Sequence, residues 1–163
     1  MEEKIAIIGK NGVGKSTLIK TVLGLIPSLG GEFHFNEKVQ INYFSQTELD
    51  DLSITPMDYI QNSQKNLTNL EVRNLLARCG IKANLAIRPL SELSGGEEAK
   101  SRLCMLTLKK SNILVLDEPT NHLDKIAKEA LKEAINDYPG VVILVSHEKD
   151  FYEDIVDYII SLE

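Results

Sequence analysis

The stretch Gly9-Lys10-Asn11-Gly12-Val13-Gly14-Lys15-Ser16-Thr17 constrains this chain more than any other. Its spacing is a glycine, four residues, then Gly-Lys-Ser. An apolar run, Ile5-Ala6-Ile7-Ile8, precedes it, and a helix-like run over 17–23 follows. Glycines between a buried strand and a helix let backbone N–H groups turn inward around an anion. The helix adds the positive end of its dipole. Lys15 supplies a point charge able to reach β- and γ-phosphates, and the Ser16 hydroxyl faces Mg²⁺. The alternative is a glycine-rich turn without a ligand. It is the weaker reading, because every required position is filled and correctly flanked.

The bulk properties limit what else the chain can be. At 163 residues it is one domain's worth of sequence, long enough to bury a substantial core. A net charge of −6 argues against a surface built to grip nucleic acid or anionic lipid, though a local basic pocket stays compatible with it. The longest apolar runs, such as 141–145, are too short to span a bilayer, so no membrane insertion is expected. The short acidic start, Met1-Glu2-Glu3-Lys4, does not read as a secretory signal. Cys79 and Cys104 lack metal-ligand spacing and read as reduced core thiols of a cytoplasmic protein.

The pattern along the chain predicts strand 4–8, the loop, and a helix over 15–23 that Gly24 can stop. Residues 32–35 and 40–44 read as short strands, expected to be antiparallel. Thr55-Pro56-Met57-Asp58 is a helix start: a threonine cap, proline at the first position, then an acid. Thr68-Asn69-Leu70-Glu71 is a capping box opening a helix with Leu70, Leu75 and Leu76 as its apolar residues. A further helix begins at or after Ser94 and runs to about 109. Residues 113–116 and 141–145 are unbroken apolar runs, as buried parallel strands are. Helix 123–135 carries Leu123, Ile126, Ala127, Ala130, Leu131, Ala134 and Ile135 on one face. A short helix near 149–154 and a last strand, 158–162, follow. This order predicts an α/β domain. Its sheet is mainly parallel and flanked by helices, with a core of about 1–50 and 110–163 and a helical subdomain of about 55–109.

A phosphate loop needs a partner acid, and Asp117-Glu118 provides it directly after the run 113–116. Carboxylates there stand at the sheet edge where ligands bind. Asp117 suits Mg²⁺, and Glu118 can polarise an attacking water as general base. Leu93-Ser94-Gly95-Gly96-Glu97 is a second element. Ser94 with Glu97 is a capping box, but capping does not explain two successive glycines, each costing about 1 kcal/mol inside a helix. Bare backbone at a helix start is another anion site, and two such starts suggest that one serves a neighbouring molecule. His147, just past strand 141–145, can hydrogen-bond a γ-phosphate. Gln46 can offer an amide oxygen to Mg²⁺ or its water. Taken alone, both are ordinary polar loop residues.

In series, these residues resemble the nucleotide-binding domain of an ATP-binding-cassette protein, a phosphate-loop NTPase. The order matches: the phosphate loop at 9–17, Gln46 of the Q-loop, the signature Leu93-Ser94-Gly95-Gly96-Glu97, the Walker B strand ending in Asp117-Glu118, the D-loop residue Asp124, and the switch His147. Glu118-Pro119-Thr120-Asn121-His122-Leu123-Asp124 and Val145-Ser146-His147-Glu148-Lys149-Asp150-Phe151 are similar to the ABC-F branch, as is Glu97 where many transporters carry Gln. The resemblance implies ATP and Mg²⁺ as ligands. Gly9 to Thr17 would bind ATP, and Ser16, Gln46 and Asp117 would hold the metal. Glu118 and His147 would serve hydrolysis, and Ser94, Gly95, Gly96 and Glu97 would act on a partner cassette's ATP. The branch further implies a second cassette as partner and a ribosome-associated translation or antibiotic-resistance role. The alternatives are the ATPase subunit of a membrane transporter, or a cassette fragment without turnover. A full cassette has strands before the phosphate loop that carry an aromatic, so the chain is expected to be a domain shortened at both ends and more like the second of two.

Overall fold

A computed structural model describes residues 3–45, 52–78, 80–108, 111–121 and 123–163. Strand β1 (Lys4–Gly9) leads through the glycine-rich loop into helix α1 (Lys15–Val22). Strand β2 (Ile41–Ser45) follows. Helices α2 (Pro56–Ser63), α3 (Asn69–Arg78) and α4 (Ala83–Ala86), a 3-10 turn (Leu90–Glu92) and helix α5 (Gly95–Leu108) come next. The chain closes with β3 (Ile113–Asp117), α6 (Lys125–Asp137), β4 (Val141–Val145), α7 (Lys149–Tyr152) and β5 (Tyr158–Leu162).

Residues gather into two compact units. One holds 1–45, 111–119 and 139–163; the other holds 46–110 and 120–138. The first is built on a five-stranded sheet in the order β2-β3-β4-β1-β5, and every pairing is parallel. Leu114, Val115 and Leu116 are all buried, so both faces of β3 are covered, as the continuous apolar run requires. One face packs Ile7, Val115 and Val145 against Ile19 of α1, with Leu23, Ile41, Tyr43, Ile113, Ile143 and Leu162 at the margin. At the β1–β5 edge, the Lys4 N–H donates to Asp157 Oδ2 at 2.8 Å and the Asp157 N–H donates to the Lys4 carbonyl at 2.7 Å.

In the second unit, local caps start the helices. The Thr55 hydroxyl accepts from the Asp58 N–H at 3.0 Å, with Pro56 at the first position of α2. Thr68 donates its N–H and hydroxyl to Glu71 ahead of α3, and these bonds hold the Glu71 carboxyl below the usual glutamate range. Asp124 caps α6 by accepting from the Ala127 N–H at 2.8 Å. The core of this unit includes Met57, Ile60, Val72, Leu76, Met105, Leu131 and Ile135. Cys104 is buried; Cys79 lies outside the described residues.

Three expectations are corrected. Residues 32–35 form no strand, and β2 is parallel to β3 rather than antiparallel to a neighbour at 32–35. Glu32-Phe33-His34-Phe35 has a strand's alternation, but a ladder needs a second strand beside it. Among the described residues none pairs there, and Phe33 and Phe35 meet only edge to face at 6.1 Å. On α6 the buried stripe is Ala127, Leu131 and Ile135, spaced by four, while Ile126 is 77% exposed. On α3 the buried pair is Val72 and Leu76, again four apart, and Leu70 is exposed.

Candidate functional site

Because every strand runs the same way, the residues following β1, β3 and β4 emerge at one edge of the sheet. This is the edge where open parallel sheets bind ligands. The loop after β1 bends through left-handed backbone at Gly12 (φ 83°) and Gly14 (φ 103°), a conformation glycine adopts without a Cβ clash. Val13 donates its N–H to the Lys10 carbonyl at 3.2 Å, which tightens the turn around Asn11 and Gly12. Gly14 caps α1 without any side-chain acceptor, so the first turn of the helix keeps its N–H groups for another partner.

Gly9 has a second constraint. It pairs with Leu162 across β1 and β5, and a Cβ on it would stand 2.7 Å from the Leu162 carbonyl oxygen and 2.9 Å from Val13 Cγ1. Gly9→Ala is therefore expected to lower the melting temperature by about 3–10 °C, the effect of an overpacked site in a domain of this size. Gly30→Ala, where nothing lies within 4 Å, should leave the melt unchanged. Differential scanning calorimetry of the two variants checks both.

The Lys15 side chain is buried, and its Nζ donates to the carbonyls of Gly9 at 2.9 Å and Lys10 at 3.3 Å. The loop thus wraps the ammonium that it presents. Glu118 Oε1 stands 4.0 Å from the same Nζ, and Glu118 Oε2 lies 2.8 Å from His147 Nδ1. Lys15, Glu118 and His147 form a connected polar chain, with the acid between the two. Glu118 sits at φ 50°, left-handed backbone that is rare for a residue with a long side chain, and its N–H donates to the Val145 carbonyl at 2.9 Å.

Asp117 ends β3 and is buried. Its Oδ1 accepts from the Ser16 hydroxyl at 2.9 Å, and its Oδ2 accepts from the Tyr43 hydroxyl at 3.2 Å. Among the described residues it has no ion-pair partner within 4.0 Å. A buried carboxylate beside a hydroxyl is a hard-oxygen set suited to Mg²⁺, which takes one or two protein ligands and completes its shell with phosphates and water. Such a site does not need a cage of acidic or imidazole ligands, and none of three or more such residues occurs among the described residues.

The structure places Gly9 to Thr17, Asp117, Glu118 and His147 together in the sheet-bearing unit. Gln46, also predicted to hold metal, lies outside the described residues. Ser94, Gly95, Gly96, Glu97 and Asp124 belong to the other unit. There, Glu97 accepts from the Ser94 hydroxyl at 2.8 Å and from the Ser94 N–H at 3.1 Å, which keeps its carboxyl below the usual range. A Cβ on Gly95 would lie 3.8 Å from Asp124 Oδ2, so the signature backbone and the α6 cap are neighbours. The sequence does not single out Tyr43. Its alternation with Ile41 was the available signal, but only the β2–β3 register brings it to Asp117.

The sequence profile of the ABC transporter family matches residues 1–121. The chain is 45% identical over 153 residues to YfmM, an ABC transporter ATP-binding protein of Bacillus subtilis (strain 168), covering 94% of this chain and 30% of that protein. It is 44% identical over 164 residues to ABC transporter F family member 5 of Arabidopsis thaliana, covering 99% and 24%. It is 39% identical over 153 residues to ATP-binding cassette sub-family F member 3 of Homo sapiens, covering 93% and 22%. The chain thus spans less than a third of the length of these relatives. Among solved structures, it superposes on the ATP-binding subunit of an ABC transporter with TM-score 0.79 and 25% identity, over 99% of this chain and 75% of that one. It also shares the fold of an RNase-L inhibitor, with TM-score 0.72 and 24% identity, over 98% and 32%.

Proposed function

The chain belongs to the ABC transporter family of ATP-binding cassettes, with F-subfamily members among its relatives, and from that premise we propose that it binds MgATP and hydrolyses it in partnership with a second cassette. The supporting observation is the assembly of Lys15, Ser16, Asp117, Glu118 and His147 at one sheet edge. Residues 9–17 cradle the triphosphate. Lys15 exchanges its carbonyl partners for phosphate oxygens, a stronger charge-assisted pairing. Ser16 and Asp117, with Gln46, hold Mg²⁺, which neutralises phosphate charge when bound. Glu118 takes the proton of the attacking water, and His147 orients Glu118 and contacts the terminal phosphate. Positioning and charge stabilisation carry the rate. Ser94, Gly95, Gly96 and Glu97 of each cassette act on the ATP of the other, with Asp124 fixing the start of α6 beside them.

The F-subfamily relatives favour a role in a two-cassette protein working with the ribosome in the cytoplasm, as a translation or antibiotic-resistance factor. The likeness to an ATP-binding subunit of a transporter supports a second reading, in which the cassette drives a separate membrane partner. No helix among the described residues is long and apolar enough to cross a membrane. Steady-state ATPase measured across protein concentration tests the shared core of both readings. Specific activity should rise with concentration as two half-sites combine. Turnover that stays absent at every concentration, despite ATP binding, would leave a nucleotide-binding fragment and defeat the hydrolytic role.

A further inference from the structure

Asp117 depends on a residue that neither the phosphate loop nor the acid motif contains. Strand β2 pairs with β3 so that Tyr43 stands opposite Val115 and Ser45 opposite Asp117. Tyr43 and Asp117 therefore share a sheet face, one strand over and two positions along. That diagonal is about 7–8 Å between backbones, within reach of an aromatic side chain. The Tyr43 ring packs at the margin of the core formed by Ile7, Ile19, Val115 and Val145. Its hydroxyl donates to Asp117 Oδ2 at 3.2 Å, while Ser16 takes Oδ1 at 2.9 Å.

The two donors differ in kind. Ser16 lies on α1 in the phosphate loop and is itself a metal-binding candidate. Tyr43 is fixed by the β2–β3 pairing, and its ring packs against the apolar core. A buried carboxylate that accepts a hydrogen bond on one oxygen loses rotational freedom and presents the other oxygen in a set direction. We propose that Tyr43 is a positioning residue that aims the Asp117 carboxylate at the Mg²⁺ of the bound nucleotide. This rests on the MgATP reading above. Tyr43 itself touches neither metal nor substrate. It sets metal affinity without setting nucleotide affinity.

Tyr43→Phe keeps the ring and removes the hydroxyl. The probe is Mn²⁺, followed by electron paramagnetic resonance with a non-hydrolysable ATP analogue. The expected result is Mn²⁺ binding weakened about 10-fold, the lower end of the effect of losing an orienting hydrogen bond behind a metal ligand. Affinity for a fluorescent ATP analogue, titrated in EDTA, should stay within about twofold of wild type. Unchanged Mn²⁺ affinity overturns the proposal, as does an equal fall in metal-free nucleotide affinity, which marks a merely structural tyrosine. Tyr43→Met, which keeps apolar bulk without the hydroxyl, gives the same test if the phenylalanine variant fails to fold. Asp117→Asn separates the layers. If it abolishes Mn²⁺ binding while Tyr43→Phe leaves Mn²⁺ affinity unchanged, only the tyrosine inference fails. If Asp117→Asn binds Mn²⁺ normally, the metal assignment beneath it fails as well.

Discussion

Lys15→Ala is expected to weaken ATP binding by at least about 100-fold, the largest effect of any single change on nucleotide affinity. Charge-assisted hydrogen bonds contribute about 1.5–3 kcal/mol each, and a lysine at this position makes at least two to phosphate oxygens. The surroundings of Lys15 show why the effect is so concentrated. The ammonium is buried and held by the Gly9 and Lys10 carbonyls, with Glu118 at 4.0 Å. The charge already stands inside the loop, where it can trade those carbonyls for phosphate oxygens. Alanine removes the charge, and it also frees two carbonyls that define the loop. Isothermal titration calorimetry with MgATP reads the loss, and calorimetric melting without nucleotide separates it from unfolding. Wild-type affinity in a folded Lys15→Ala protein would remove the phosphate loop from the functional account.

Glu118→Gln should leave ATP affinity within a few-fold of wild type and lower turnover by about 100- to 10,000-fold, the range of a lost general base. The amide keeps the shape and can still hydrogen-bond His147, now 2.8 Å from Oε2, but cannot accept the water's proton. It also removes the negative charge facing Lys15, which favours the loaded, closed pair of cassettes. Two readouts follow: phosphate release in a single turnover, and elution volume on size exclusion with ATP. Turnover at the wild-type rate would strip Glu118 of its role. Lost ATP affinity would instead show that the acid shapes the loop through Lys15.

The parts of the site legible in the sequence are those set by neighbouring residues. Gly9 to Thr17 lie between a strand and a helix that their own side chains specify, so the cradle reads off directly. Asp117 and Glu118 follow an apolar run that must be a buried strand, which puts them at its end. Helix starts at Thr55, Thr68 and Ser94 are equally local, because each cap is satisfied within four residues. What could not be read depends on partners distant in the chain. Residues 32–35 have the period of a strand but no ladder beside them. Ile126 has helical spacing, yet α6 buries a narrower stripe. Tyr43 meets Asp117 across 74 positions of sequence, through a strand register that no local pattern encodes.

The left-handed backbone at Glu118 also limits which sequences can occupy that position. Its φ of 50° is secured by an N–H bond to Val145, so main chain as well as rotamer choice points the carboxylate along the sheet edge. Branching at Cβ is poorly tolerated in that geometry, whereas unbranched and short polar side chains are accepted. Substitution with valine or isoleucine would thus distort the turn between Asp117 and Pro119 as well as delete the acid. Inactivity in such a variant would reflect a misdirected main chain as much as missing chemistry, which makes the glutamine replacement the cleaner probe of proton transfer.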